Sequence, residues 1–138
     1  MLFRSIPGGA GGGPQRDRAE RRRKKKLLVA FHFQFSNQAG WECDACRRSG
    51  LEIRRRCGWL RLPHDGKGAP VWARKTVATE SCPKSYITAE SEGMVEDFLV
   101  RRRLGGMSFE ELSARQVEGF LILEQALAAE DPGGRRGV

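Results

Sequence analysis

"VAFHFQFS", residues 29–36, is the stretch on which the fold turns. Val29, Phe31, Phe33 and Phe35 alternate with Ala30, His32 and Gln34. Period two with aromatics reads as a β-strand with one buried face. On that reading His32 lies on the opposite, more polar face, as a surface or hydrogen-bonded group rather than a ligand. Upstream, "SIPGGAGGGPQRDRAERRRKKK" (5–26) is Gly-rich and then basic. It holds too little apolar surface to offset its ordering entropy, so residues 1–26 read as a disordered basic tail.

The 138-residue chain has a formal charge of +8, and its location matters. Residues 1–26 carry nine Lys/Arg against two acids, a net +7, while the remainder carries sixteen against fifteen, a net +1. The basic signal therefore belongs to the N-terminal segment, and the body reads as a nearly neutral domain over 27–130. Residues 131–138, "DPGGRRGV", read as a second frayed tail. No apolar run approaches the ~18–20 residues that span a bilayer, and no secretory signal is apparent. The expected setting is reducing and cytoplasmic, where cysteines serve more often as thiols or metal ligands than in disulfides.

Past the strand, "SNQAG" (36–40) is turn chemistry that leads into "WECDACRRSG" (41–50). Residues 51–82 are irregular. "LEIRRRCGWL" (51–60) reads as either a short helix or an extended segment, "LPHDGKGAP" (62–70) as a loop, and "VWARKTVA" (71–78) as a short strand. Helical character begins after Cys82. Thr88 caps a helix over about 89–103 with Met94, Val95, Phe98 and Leu99 as its apolar stripe, and Gly105-Gly106 ends it. Ser108 with Glu111 offers a second cap. Ser113 with Gln116 offers a third, opening a helix over about 114–129 that shows Val117, Phe120, Leu121 and Leu127 at helical spacing. The expected class is α+β: a small zinc-stabilised N-terminal strand/turn region followed by two or three C-terminal helices.

Cys43, Cys46, Cys57 and Cys82 are the whole cysteine set. A C-x-x-C turn can place two thiolates on a tetrahedral Zn²⁺ at ~2.3 Å each, and a closed structural site needs two more ligands. Cys57, before Gly58, and Cys82, before Pro83, supply them, with His64 as a substitute fourth ligand. Alternative readings are a thioredoxin-like redox pair, which lacks its βαβ continuation, a set of disulfides, or unligated thiols. With both tails removed, about 100 residues make a modest core, for which a structural metal supplies folding free energy.

Signatures of hydrolases, zinc proteases, deaminases and phosphate-binding loops are absent from the sequence, so an enzyme is not expected. A nucleic-acid-binding reading rests on Arg21, Arg22, Arg23, Lys24, Lys25 and Lys26 in the tail. It adds Arg47, Arg48, Arg54, Arg55 and Arg56 flanking the cysteines, where phosphate contacts suit them. The bland reading of both groups is a solvated face.

One further signal is the layout. "FHFQFSNQAGWECDACRRSGLE" (31–52), "RRRCGWL" (54–60) and "SCPKSYITAES" (81–91), followed by two helices, resemble small four-cysteine proteins of phage and prophage gene clusters near tail genes. The resemblance implies a non-enzymatic structural or assembly role in a phage-derived particle. The partner would be a tail or assembly component and the location cytoplasmic or virion-associated, with no catalytic residues to carry over. Its working surface would be exposed aromatics such as Trp59, Trp72 and Tyr86.

Overall fold

The structure, a computed structural model, describes residues 14–60 and 69–130, except for the side chain of Trp59. Five helices and one hairpin follow in order: α1 (Pro14–Gln34), α2 (Cys43–Ser49), α3 (Leu51–Arg54), β1 (Trp72–Arg74), β2 (Val77–Thr79), α4 (Ala89–Leu104) and α5 (Ala114–Glu130). The class is α+β with most residues helical. The expected strand at 29–36 is not one. Residues 29–34 are the last turns of α1.

The reason is that α1 is buried on two sides. Leu27, Ala30 and Phe31, at i, i+3 and i+4, face Val95 and Phe98 of α4 and Phe120, Leu123 and Ala126 of α5. Val29 and Phe33, themselves i and i+4, point to the other side and pack on Trp72 and Val77 of the hairpin. A helix with two apolar partners needs apolar residues all round, so its pattern loses the 3.6 period. The alternation of Val29, Phe31 and Phe33 arises because consecutive pairs serve different cores. Phe35, expected on the buried face, is 44% exposed. Its ring lies against Phe31, with centroids 5.0 Å apart, and under the Arg74 guanidinium.

Residues 14–26 are also helical, which corrects the expected disorder across this part of the tail; residues 1–13 lie outside the described residues. Starting a helix is costly and extending one is not. The packed turns at 27–33 supply the nucleus, and the preceding stretch is rich in Arg, Lys, Glu, Gln and Ala, all good helix formers. Pro14 suits the first turn, Asp17 suits its positive end, and Asp17/Arg21 and Glu20/Lys24 stand at i, i+4. The boundary expected at 26/27 therefore falls inside one helix. The expected tail at 131–138 lies outside the described residues.

The C-terminal helices form where their caps place them. Thr88 accepts from the Ser91 backbone N–H while Ser91 returns a bond to Thr88, a reciprocal box. Ser113 and Gln116 exchange the equivalent pair of bonds at 2.8 and 3.1 Å. Ser108 opens only a single 3-10 turn, and its hydroxyl bonds the Glu110 carboxylate instead. "VWARKTVA" is a two-stranded hairpin rather than one strand. Arg74 pairs with Val77 across a two-residue turn in which Lys75 takes a positive φ of 55°.

His32 is buried at 3% exposure, not on a polar face. Its Nδ1 lies 3.3 Å from both Arg74 Nη1 and Glu130 Oε2, while Arg74 and Glu130 form a two-pronged ion pair. This cluster joins α1, the hairpin and the end of α5. Burial is the main cause holding the His32 pKa below its usual 6.5, against the pull of Glu130; Arg74 and Lys75 add to the lowering. The Arg74 hydrogen bond likewise lowers the Glu130 carboxyl.

The sign is the same for both groups. The unfolded chain binds the extra proton, so stability is present above the unfolded pKa and lost below it. Thermal unfolding midpoints should fall as the pH drops from about 7 through the His32 range, and fall again below the carboxylate range. In His32→Gln the first decrement should vanish, as read by calorimetry at pH 7.5 and 5.5. An unchanged first decrement would remove His32 as its source.

Candidate metal centre and basic face

The four cysteines come from three segments, and the chain ties those segments to one another pairwise. In the first, Cys43 opens α2 and Cys46 follows one helical turn later; Cys43 is exposed and Cys46 buried. Gly50, at φ 77°, ends α2 with a backbone bond to the Cys46 carbonyl. In the second, the four-residue α3 runs into Arg56 at a positive φ of 51°, and Cys57 follows half-buried. In the third, Cys82 is buried immediately before a 3-10 turn over Pro83–Ser85.

Arg55 joins the first two segments. Its Nη1 donates to the Gly40 carbonyl at 2.7 Å and reaches Cys46 Sγ at 3.3 Å, and its guanidinium stacks 3.9 Å over the Trp41 ring. The second and third segments meet where the Gly58 N–H donates to Ser85 Oγ at 2.8 Å and Arg56 reaches the Glu80 carbonyl at 3.4 Å. The third returns to the first through Lys84 Nζ, 2.8 Å from the Trp41 carbonyl.

Burial pushes the Cys82 thiol up, and the backbone N–H of Lys84 opposes that by bonding to the sulfur. Cys57, Cys43 and Cys46 each raise it further. They are not drawn into a ready-made cage: among the described residues, no group of three or more His, Cys, Asp or Glu is set to hold a metal. The donor chemistry nevertheless suits Zn²⁺, with four thiols and N–H···S bonds from the Lys84 backbone to Cys82 and from the Arg55 guanidinium to Cys46. The alternative ligand His64 lies outside the described residues.

Gly58 is where this arrangement is least tolerant. A Cβ built there would lie 2.6 Å from Ser85 Oγ and 2.7 Å from Ser85 Cβ. Gly58→Ala should therefore destabilise by about 1–3 kcal/mol, through overpacking and the strained hydrogen bond. Adding Ser85→Gly should recover the overpacking part of the loss, because the next nearest atom, Ser85 Cα, is 3.8 Å away, while the bond from the Gly58 N–H to Ser85 Oγ stays lost. Denaturant unfolding of the two variants checks it, and a double variant no better than the single would refute the close approach.

The basic residues separate into two roles. Arg55 and Arg56, expected as phosphate contacts, are half-buried and bond to the Gly40 and Glu80 carbonyls in the cysteine region. Arg47, Arg48 and Arg54 are exposed, and Arg47 and Arg48 lie in loose ion pairs with Asp44 at 3.7 Å and Glu42 at 4.0 Å. Arg21, Arg22, Arg23 and Lys24 are exposed along α1, while Lys25 and Lys26 are half-buried, with Lys25 Nζ 5.2 Å from the centre of the Tyr86 ring.

Sequence reasoning missed Arg55 and Lys84 as struts. Basic residues beside cysteines look alike whether they face solvent or a carbonyl, and only the pairing of distant segments separates the two cases. Of the expected surface aromatics, Trp72 is in the core and Tyr86 is half-buried, while the Trp59 side chain lies outside the described residues. Among the described residues no helix is long and apolar enough to cross a membrane. No protein-family model, curated protein or solved structure matches the chain.

Proposed function

We propose that the protein is a non-enzymatic nucleic-acid-binding adaptor. In this reading Cys43, Cys46, Cys57 and Cys82 hold a structural Zn²⁺, and α1 carries the phosphate contacts. The observation that carries the reading is the arm itself. Residues 14–26 hold eight Lys/Arg against Asp17 and Glu20, a net +6, in one helix continuous with turns that two cores grip. A fixed row of cations loses less entropy on meeting a polyanion than a disordered tail would. Zinc, for its part, would lock the hairpin side on which α1 rests, so the metal is scaffold and the helix is the working surface.

The particle-assembly role implied by the resemblance is the alternative. It rests on the four-cysteine layout, and one of its expected surface aromatics, Trp72, lies in the core.

Phosphate contacts release counterions, so affinity for a mixed-sequence duplex should fall steeply with salt. With about four contacts, the loss is about a hundredfold between 50 and 200 mM. Fluorescence anisotropy across that range measures it. Weak binding at 50 mM with a shallow slope would return the assembly role to first place.

A further inference from the structure

The two long faces of the basic helix differ. One face, with Glu20, Arg23, Lys24 and Lys26, lines a cleft of about 250 Å³ against the starts of α4 and α5. Glu90 and Glu118 line the same cleft from those two helices, with Arg115 paired to Glu90 at 3.0 Å. Carboxylates thus stand among the cations on this side, and a phosphate chain approaching it would meet both signs.

The other face is marked by Lys25, whose ammonium sits over Tyr86 on the hairpin and cysteine side. Each helical residue turns by about 100°, so Arg21 and Arg22 (i−4 and i−3 from Lys25) and Arg18 (i−7) share its side. Arg18, Arg21 and Arg22 are exposed. From Arg18 to Lys25 the row rises about 10 Å.

The geometry points to this row, Arg18, Arg21, Arg22 and Lys25, as a docking surface for the phosphate backbone of a nucleic-acid duplex, with the cleft row excluded from contact. The inference rests on the nucleic-acid reading and specifies both face and partner. Charge complementarity favours this face, which has Asp17 beside Arg21 at its edge but, among the described residues, no carboxylates facing it from other helices in the way Glu90 and Glu118 face the cleft row. The aromatics select the duplex. Proteins that hold single strands combine cations with exposed rings, each stacked base adding about 1–3 kcal/mol.

Here the ring beside the row, Tyr86, already carries Lys25, and Trp41 in the cysteine region carries Arg55. Among the described residues the exposed aromatics are Phe35 and Phe109. Phe35 lies beside Arg74, and Phe109 lies on the α4–α5 connection. Among the described side chains the row offers cations without a free stacking ring, which fits a duplex whose bases are already stacked.

The test compares two double variants of the full chain that change net charge equally: Arg18→Glu/Arg21→Glu and Arg23→Glu/Lys24→Glu. Binding to a 30-base-pair duplex and to one of its single strands is measured across salt, with circular dichroism confirming helix content. If either pair loses helix, the Gln versions replace it in the same comparison. The first pair should weaken duplex binding more than tenfold and flatten the log–log salt slope by about two, the value for two lost phosphate contacts. The second should cost several-fold less affinity than the first and leave the salt slope close to wild type, and wild type should prefer duplex to single strand. Equal losses in the two pairs, or a single strand bound as tightly as the duplex, would overturn the inference while leaving nucleic-acid binding intact. Absence of binding to either at 50 mM salt would overturn the underlying reading with it.

Discussion

Protein purified under reducing conditions is expected to carry one Zn²⁺ per chain, and Cys82→Ser and Cys43→Ser are both expected to release it and unfold the region from 41 to 85. The argument is one of energy supply. Among its described residues that region has four short helical or 3-10 segments and a hairpin of three-residue strands. Its own core is Val29, Phe33, Trp72 and Val77, with Trp41, Tyr86 and Ile87 at the edge. The ties between segments are mostly exposed hydrogen bonds, each contributing about 0.5–1.5 kcal/mol. Structural zinc in small peptides contributes about 10–16 kcal/mol of apparent binding free energy, enough to decide whether such a region folds.

The two variants separate a metal site from a pair of buried thiols. Cys82 is buried and Cys43 exposed. If burial alone mattered, Cys82→Ser would be costly and Cys43→Ser within about 0.5 kcal/mol of wild type. If both are ligands, both lose the metal. Elemental analysis, together with thiol alkylation before and after a chelator, reads the difference. A folded, metal-free protein whose thiols react freely would sink the zinc assignment.

How much of this was legible depends on where the deciding contacts lie in the sequence. The starts of α4 and α5 could be read because Thr88 and Ser113 satisfy backbone groups three residues away. Local chemistry determined them, and the structure has both helices. The helix α1 could not be read, because its conformation is set by partners 40 to 90 residues downstream: Trp72 and Val77 on one side, Phe98, Phe120 and Leu123 on the other. A strand's alternation and a doubly buried helix leave the same trace over a short apolar run. The error then propagated upstream, since a charged segment next to a strand has no reason to be helical. The same holds for His32: its neighbours Arg74 and Glu130 lie 42 and 98 residues away, and nothing near it in sequence signals them. In the cysteine region, the four residues and the neighbouring Gly58 and Pro83 were visible. The ties through Arg55, Lys84 and Ser85 were not.

The other large effect is expected in the first core, where Phe31→Ala should cost about 3–5 kcal/mol. Phe31 has no exposed surface and sits among Val95, Phe98, Phe120 and Leu123, where Phe98 and Phe120 already stack with centroids 5.5 Å apart. Removing the ring leaves a cavity between three helices that have little room to close, since Val95, Phe98 and Leu123 are also fully buried. Against a total stability of about 5–15 kcal/mol, that loss moves the denaturation midpoint by a large fraction. Leu121→Ala, at a side chain 61% exposed, should stay within about 0.5 kcal/mol and serves as the control. Milder substitutions then test the helical assignment of α1. In a helix, Phe31 and Phe33 point into different cores, so Phe31→Leu and Phe33→Leu should be additive within about 0.5 kcal/mol. Phe31→Leu and Phe98→Leu share one core and should couple by more than that. On a strand, Phe31 and Phe33 would occupy the same face and couple through it. Urea unfolding of the singles and doubles measures both terms, and strong coupling between positions 31 and 33 would favour the strand.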